Sequence, residues 1–331
     1  MKIYFDTYPA AFQCPGGGEI QLIKSKEALE RRGHKVALFN PWQDKLSDAD
    51  VIHHFSVQGG TYNLCAYAQN HRIPLVVSPI LWLSEYIDQY PMGEVGLMLS
   101  MADIICPNSL AEVERFTKHF SEPLQKYHVT HNGVDACFFD SAGKDLFLAK
   151  HRINFPFVLC VGNIEARKNQ MALLEASMTI GIHTVLIGNV RDKGYFQEMN
   201  EKFAGKFTYL GYMEHGSPIL RSAYAACSAF ALPSLLETPG LAALEAAAAG
   251  ANMVITKEGC TEEYFGKEAH YVDPKSIEDI SEKLRMAITS KIQTVALTDR
   301  VRQFTWDLVA EELEGAYSKA QISSRAKSEK D

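Results

Sequence analysis

The sequence has no excess of basic charge: its 331 residues carry 33 Lys and Arg against 40 Asp and Glu, a formal net charge of -7. Neither half departs from this balance, with net -3 over residues 1–153 and net -4 over 154–331. A surface that tracks a phosphate backbone needs the opposite sign, so no nucleic-acid partner is expected. No apolar run approaches the roughly 20 residues of a membrane span, and the opening Lys2-Ile3-Tyr4-Phe5-Asp6 contains no apolar signal-peptide stretch. The seven cysteines are odd in number, widely spaced and never arranged as C-x-x-C. Neither a disulfide framework nor a zinc site is therefore expected, and a reducing cytoplasm suits the chain, with at most a weak peripheral contact at the inner face of a membrane. With 47% hydrophobic and 22% charged residues, disorder and fibrous repeats are excluded too.

What is present is a folding pattern repeated along the whole chain. At roughly 150 residues per domain the length allows two domains. Short apolar runs at 3–5, 36–39, 51–55, 75–77, 104–106, 157–161, 184–187, 207–210, 229–232 and 253–255 alternate with amphipathic stretches such as 19–32, 111–120, 170–179 and 276–289. Strand followed by helix, repeated, predicts α/β architecture with parallel sheets covered on both faces. About five strands fall on each side of residue 150, which favours two doubly wound Rossmann-like domains over one large sheet. The polar stretch from Asp140 to Asn154 sets the expected boundary, giving domains 1–153 and 154–331 with a final helix at about 294–320 and a frayed tail from Ser323. Ligands of such sheets bind where strands end and helices begin, in a central cleft between two such domains.

One segment concentrates the chemistry. Pro233-Ser234-Leu235-Leu236-Glu237-Thr238-Pro239-Gly240-Leu241 follows a strand and opens a helix of Ala and Leu that Gly250 can end. A helix start behind Gly240 presents unpaired N–H groups and the positive end of the dipole to a phosphate. Glu245, about one turn inside, is costly among Ala and Leu unless hydrogen-bonded, and the vicinal hydroxyls of a ribose would supply donors. Glu237 lies before the helix, within reach of a sugar hydroxyl. The bland alternative pairs both glutamates with Lys or Arg of the same domain. Arg167 and Lys168 follow the strand 157–161, where a fork and a point charge together hold a diphosphate, or else form an ordinary solvated face. Gly16-Gly17-Gly18 permits a tight turn with N–H groups exposed. It is not G-x-G-x-x-G, and the second strand ends at Asn40 rather than at an acidic residue, so a dinucleotide site lacks its ribose ligand. Trp82, Leu83, Tyr86, Ile87 and Tyr90 at helical spacing read as core, with an acceptor groove or a membrane contact as alternatives. His53 and His54 follow a strand; a core histidine is the commoner reading, and the alternative is that, since adjacent side chains point to opposite faces, one of the two faces the cleft.

Glu237 to Glu245, with Pro233-Ser234 before and Gly240-Leu241 between, resembles the E-x7-E signature of the retaining family 4 glycosyltransferases of group 1, which have the GT-B fold. The likeness extends over nearly the whole chain: Gly16-Gly17-Gly18-Glu19 resembles the family's N-terminal glycine loop, Asn132-Gly133-Val134-Asp135 its N-G-V-D turn, and Val161 to Asn169 its basic loop. Gly259-Cys260-Thr261-Glu262 and Phe304-Thr305-Trp306 with Tyr317 resemble the segment after the signature helix and the helix that crosses back onto the N-terminal domain. The resemblance implies a metal-independent enzyme without a cofactor. It would move a hexose from a nucleotide-diphosphate sugar to a hydroxyl of a glycan or glycolipid, as in cell-surface polysaccharide or lipopolysaccharide synthesis. It places catalysis on Glu237, Lys168 and Arg167. Donor contacts fall to Gly17, Gly18, Gly162, Asn163, Arg167, Lys168, Tyr212, Met213, Glu237, Thr238, Gly240, Leu241 and Glu245, and the acceptor side to His54, Ser78 and Trp82.

Three positions depart from the family. Asn163 stands where an arginine usually follows the glycine, which removes one charge from the diphosphate clamp. Ser78-Pro79 replaces the usual histidine of the N-terminal domain. Pro239 has no N–H to offer the donor. A retaining transfer in which the leaving phosphate takes the acceptor's proton depends little on such a histidine. A non-catalytic homologue that binds nucleotide or glycan, and a nucleotide-sugar epimerase of the same fold, stand as the alternatives.

Overall fold

The computed structural model describes residues 1–331 except 14–15, 85, 141, 290–293 and 329–331. Cys14, Ser141 and the last residues of the expected tail thus lie outside the described residues. The chain divides into two units, Met1–Gly133 with Trp306–Asp331, and Val134–Thr305.

The first unit is a five-stranded parallel sheet in the order β2-β1-β3-β4-β5, formed by β1 (Lys2–Thr7), β2 (Lys35–Leu38), β3 (Val51–Phe55), β4 (Leu75–Ser78) and β5 (Ile104–Ile105). Helices α1 (Gly17–Arg31), α2 (Tyr62–Asn70) and α3 (Met92–Met101) connect strands, and α4 (Leu110–His119) follows β5. The central strands β3 and β4 are buried along their full length, as expected for apolar runs covered on both faces. The aromatic stretch after β4 is not a helix. It runs as a loop into a single 3-10 turn at Ile87–Gln89, with Leu83 buried, Trp82 half-buried against Arg115 and Tyr86 exposed. Helical spacing there carried no helix; the Tyr90 hydroxyl instead donates to the Trp82 carbonyl at 3.0 Å.

The second unit carries α5 (Asp145–His151) and a six-stranded parallel sheet in the order β11-β10-β9-β6-β7-β8. Its strands are β6 (Phe157–Val161), β7 (His183–Ile187), β8 (Phe207–Tyr209), β9 (Ala229–Leu232), β10 (Met253–Thr256) and β11 (His270–Val272). The sixth, β11, is three residues long and escaped the count of apolar runs. Helices α6 (Gln170–Ile180), α7 (Lys193–Lys202), α8 (Pro218–Ala226), α9 (Leu241–Ala248), α10 (Thr261–Phe265), α11 (Ile277–Thr289) and α12 (Thr294–Val301) complete the unit. Counted from β6, the order is that of the dinucleotide-binding doubly wound sheet, and its direction reverses between β6 and β9. At that reversal the two following helices depart to opposite faces and leave a crevice at the strand ends.

Two expectations need correction. The division falls at 133/134 rather than 153/154, because the segment taken as linker and the residues just before it pack into the second unit: Phe138 and Phe147 are fully buried, the Phe147 N–H donates to Ser222 Oγ at 2.9 Å, and Arg221 donates to the Cys137 carbonyl at 3.0 Å. The final helix is not continuous from 294 to 320. After α12 a 3-10 turn, Arg302–Phe304, ends at the extended Thr305, and α13 (Trp306–Ser328) begins within the first unit and continues through residues expected to fray. There α13 packs along α1 through Arg31–Asp307 at 2.7 Å, Arg32–Glu314 at 2.9 Å and His34–Glu314 at 2.8 Å, and inserts Tyr317 against His53 at 2.8 Å.

Candidate functional site

The loops after β6 and β9 flank the crevice of the second sheet, and the backbone ties them together before any side chain of chemical interest is placed. The Leu235 N–H donates to the Arg167 carbonyl at 2.9 Å. Asn169, at φ 58, opens α6 and extends Nδ2 to the carbonyls of Pro233 at 3.0 Å and Pro274 at 2.8 Å. Beneath them the loops after β6 and β7 are in near contact, since a Cβ on Gly188 would stand 1.9 Å from the Gly162 carbonyl oxygen. A glycine there is a steric requirement.

On this base Lys168 Nζ meets Glu237 Oε1 at 2.5 Å, with the glutamate side chain 4% exposed and the lysine 13%. Removing either partner of a pair so enclosed leaves an uncompensated charge. The other Glu237 oxygen lies against Gly240, where a Cβ would sit 3.0 Å from Oε2. Gly240, at φ 91, starts α9, and α9 ends at Gly250 with φ 77 as the sequence implied. Glu237 is also fixed from behind: its N–H donates to the Glu258 carbonyl at 3.1 Å and its carbonyl accepts from the Cys260 N–H at 3.2 Å. Between these two bonds a Cβ on Gly259 would lie 1.9 Å from the Glu237 carbonyl oxygen. Arg167 shares the crevice edge, donating to the Leu236 carbonyl at 3.1 Å and to Glu165 at 3.2 Å, and Glu165 also pairs with Arg191 at 3.3 Å.

Glu245 is 6% exposed, and its partners are neither lysine nor arginine. Tyr224 Oη donates to Oε2 at 2.7 Å, and His215 Nδ1 lies 3.1 Å from Oε1, while His215 Nε2 reaches Asp135 Oδ2 at 2.6 Å. Burial alone would lower the His215 pKa, but the hydrogen bonds it donates to Asp135 and Glu245, together with their charges, outweigh it and raise the value to about 9. Tyr224 is pushed well above its ordinary range by burial and then by Glu245, so it remains a donor.

The structure therefore brings Gly162, Arg167, Lys168, Glu237, Gly240 and Leu241 to the crevice edge of one unit. Asn163 stands among them, its carbonyl accepting from Gln170 Nε2 at 2.9 Å; Thr238 lies between Glu237 and Gly240 along the same loop. Tyr212, 61% exposed, and half-buried Met213 lie on the loop after β8. The remaining candidates lie in the other unit. Gly17 and Gly18 form no tight turn: they are the first residues of α1, with Glu19 reaching back to accept from the Gly16 N–H at 2.7 Å. Both histidines lie within β3 rather than after it and are buried, so neither face of that strand presents one. His54 is held by Asp6 at 2.8 Å, the Ser56 carbonyl at 2.7 Å and Thr61 at 2.7 Å. Ser78, also buried, is bonded to His53 at 2.9 Å, which gives it a place in the core rather than on the acceptor side. Trp82 stacks under the Arg115 guanidinium at 4.2 Å.

Sequence reasoning missed His215, Tyr224 and the pairing of Asp135. His215 lies two residues beyond Met213 on a strand-end loop, which was the available signal. Asp135 is 80 residues away and gave none.

Residues 144–304 match the model of the family described as glycosyl transferases group 1. A sulfoquinovosyl transferase of Arabidopsis thaliana is 25% identical over 318 residues, 89% of this chain and 60% of that protein. The O-antigen chain mannosyltransferase B of Escherichia coli is 27% identical over 175 residues, 49% of this chain and 45% of its own length. The chain thus spans less than two thirds of these relatives. The crystal structure of Anabaena HepE in complex with UDP superimposes with a TM-score of 0.77 at 18% identity, covering 96% of this chain and all of that one. Among the described residues no helix is long and apolar enough to cross a membrane.

Proposed function

We propose that this chain, a group 1 glycosyltransferase of GT-B fold, moves a hexose from a nucleoside-diphosphate sugar to a hydroxyl of a glycan or glycolipid with retention at the anomeric carbon. The observation that carries the reading is the enclosed Lys168–Glu237 pair at the sheet's reversal, immediately before the N-terminus of α9. A diphosphate leaving group develops negative charge as its bond to the sugar breaks. Lys168, Arg167 and the first turn of α9 are the groups that stabilise it, without a metal. Glu237 is assigned the hydroxyls of the transferred sugar and Glu245 the ribose diol. Arg167 supplies the cation that Asn163 does not.

The named relatives support the donor class: one is a sulfoquinovosyl transferase, another a mannosyltransferase, and HepE is in complex with UDP. The acceptor is assigned to the first unit, where Trp82 is half-buried while His54 and Ser78 are fully enclosed. Positioning the two substrates provides the remaining rate enhancement.

The test is release of nucleoside diphosphate from a panel of UDP-, GDP-, ADP- and dTDP-sugars in the presence of candidate acceptors, with the anomeric configuration of the product read by NMR. Glu237→Ala and Lys168→Ala should each abolish transfer in a folded protein. Full activity in both would sink the site assignment, and an inverted product would sink retention.

A further inference from the structure

We propose that His215 is the positioning residue of Glu245: as a doubly protonated ring, it holds that carboxylate in the orientation that a ribose diol meets, so donor affinity depends on its charge. This rests on the donor reading above and concerns a residue that the reading does not use.

The argument begins with hydrogen count. A neutral imidazole has one N–H and one lone pair. In this protein each ring nitrogen faces a carboxylate oxygen, Nε2 at 2.6 Å from Asp135 and Nδ1 at 3.1 Å from Glu245. A lone pair directed at a carboxylate oxygen at such a distance is repulsive, so both contacts are favourable only when both nitrogens carry hydrogen. The ring is then a fixed cation between two acceptors.

The second step is orientation. Glu245 is gripped at both oxygens, Oε1 by His215 and Oε2 by the Tyr224 hydroxyl at 2.7 Å. Two donors on two oxygens fix the plane of the group. Each carboxylate oxygen retains a further lone pair, which gives a side-by-side pair of acceptors for two vicinal hydroxyls. Phe138, edge-on at 5.5 Å, holds the ring from another side. The titratable and charged groups on the elements around the ring are Asp135 and Cys137 before and within the turn Ala136–Phe139, Glu214 on its own loop, Tyr224 and Arg221 on α8, and Glu245 on α9. Arg221 is turned to the Cys137 carbonyl at 3.0 Å, and Cys137 Sγ lies 3.6 Å from the Cβ position of Gly216. The ring's raised value of about 9 agrees with the geometry.

The experiment has two parts. In the ligand-free wild type, the side-chain nitrogens of His215 are followed by NMR across pH 6 to 10. Both should stay protonated well above the ordinary histidine range, and a ring titrating near its usual value overturns the proposal whether or not nucleotide binds. UDP, GDP and ADP are then titrated calorimetrically into wild type and His215→Gln, which keeps an uncharged donor. With the nucleotide that binds, the variant should be weaker by about tenfold at pH 7.5, the scale of one charged hydrogen bond. Wild-type affinity should fall by a similar factor towards pH 10, while the variant stays flat. In turnover the loss should appear in KM rather than kcat. A variant that binds like wild type, or keeps its alkaline limb, refutes the role of His215 and leaves the donor reading standing. Wild type that binds none of the three nucleotides refutes the ribose-diol contact assigned to Glu245, and this role with it. Asp135→Asn, which removes the second carboxylate charge but keeps an amide oxygen, should shift the alkaline limb to lower pH. An unmoved limb in that variant counts against the clamp.

Discussion

Gly259 lies behind the crevice, contacts no expected ligand and yet governs Glu237. Its φ of +111 is a conformation that side chains rarely adopt, and a methyl group there would stand 1.9 Å from the Glu237 carbonyl oxygen where ordinary contact begins at 3.4 Å. In Gly259→Ala the two backbones must separate by 3.4 − 1.9 = 1.5 Å. That movement stretches both bonds that anchor Glu237, to Glu258 and Cys260. Two backbone hydrogen bonds contribute about 0.5–1.5 kcal/mol each, and a residue forced into a sparse region adds about 1–3 kcal/mol. The sum is a destabilisation of roughly 2–6 kcal/mol. For a unit of this size each kcal/mol lowers Tm by roughly 2–4 °C, so the melt should move by at least about 4 °C. Glu237 would be displaced by more than 1 Å, and such a misplacement of a positioned group lowers rate by about a hundredfold. Calorimetry gives the melting shift, and nucleoside diphosphate release well below Tm gives the rate. Gly205→Ala is the control: Gly205 has φ +71 with nothing within 4 Å of its Cβ position, so it isolates backbone strain from the clash. Gly259→Ala with activity within twofold of Gly205→Ala would refute the link between this glycine and the Glu237 carboxylate.

Two further outcomes follow from the core of the first unit. Tyr317→Phe removes the hydroxyl facing His53 Nδ1 at 2.8 Å in a fully buried site and should cost about 1–3 kcal/mol in chemical denaturation, with an unchanged midpoint contradicting the assignment. Burial, with the charge of His54 adding to it, holds the His53 pKa well below its ordinary value. Below about pH 6.5 the unfolded chain therefore binds a proton that the folded unit refuses, and stability should fall as pH falls, by up to about 1.4 kcal/mol per pH unit. Denaturant midpoints that stay flat from pH 6.5 to 5 would contradict this.

Most of the sheet was legible because parallel strands covered on both faces are nearly uninterrupted apolar runs, and ten of the eleven strands among the described residues coincide with an apolar run, the largely exposed Lys35–Leu38 included. The exception, His270–Val272, is short and mixes polar with apolar residues. The unit boundary was misread for a related reason. Asp140 to Asn154 is polar on average, but Phe138 and Phe147 beside and within it are core residues, and average polarity hides single buried rings. In the site, the residues on one contiguous segment, Glu237 to Glu245, and the adjacent pair Arg167-Lys168 were readable because their spacing follows from a strand-loop-helix path. The His215–Asp135 pair was not, since it joins loops that only tertiary folding brings together. Gly16 to Gly18 misled in a different manner: a run of glycines satisfies both a turn and a helix start, and Glu19, which bonds back to Gly16, decides for the helix.

The route of the backbone has a consequence for how the protein is made. The first unit is closed by α13, whose Tyr317 completes the buried contact with His53, while the second unit occupies the uninterrupted stretch Val134–Thr305. On a ribosome the second unit can finish folding while the sheet that was synthesised before it still has a face uncovered. That sheet must wait, incomplete, through the synthesis of its neighbour. Truncation near the C-terminus would then strike the N-terminal sheet first, and a chain stalled before residue 306 would expose the apolar surface on which aggregation begins.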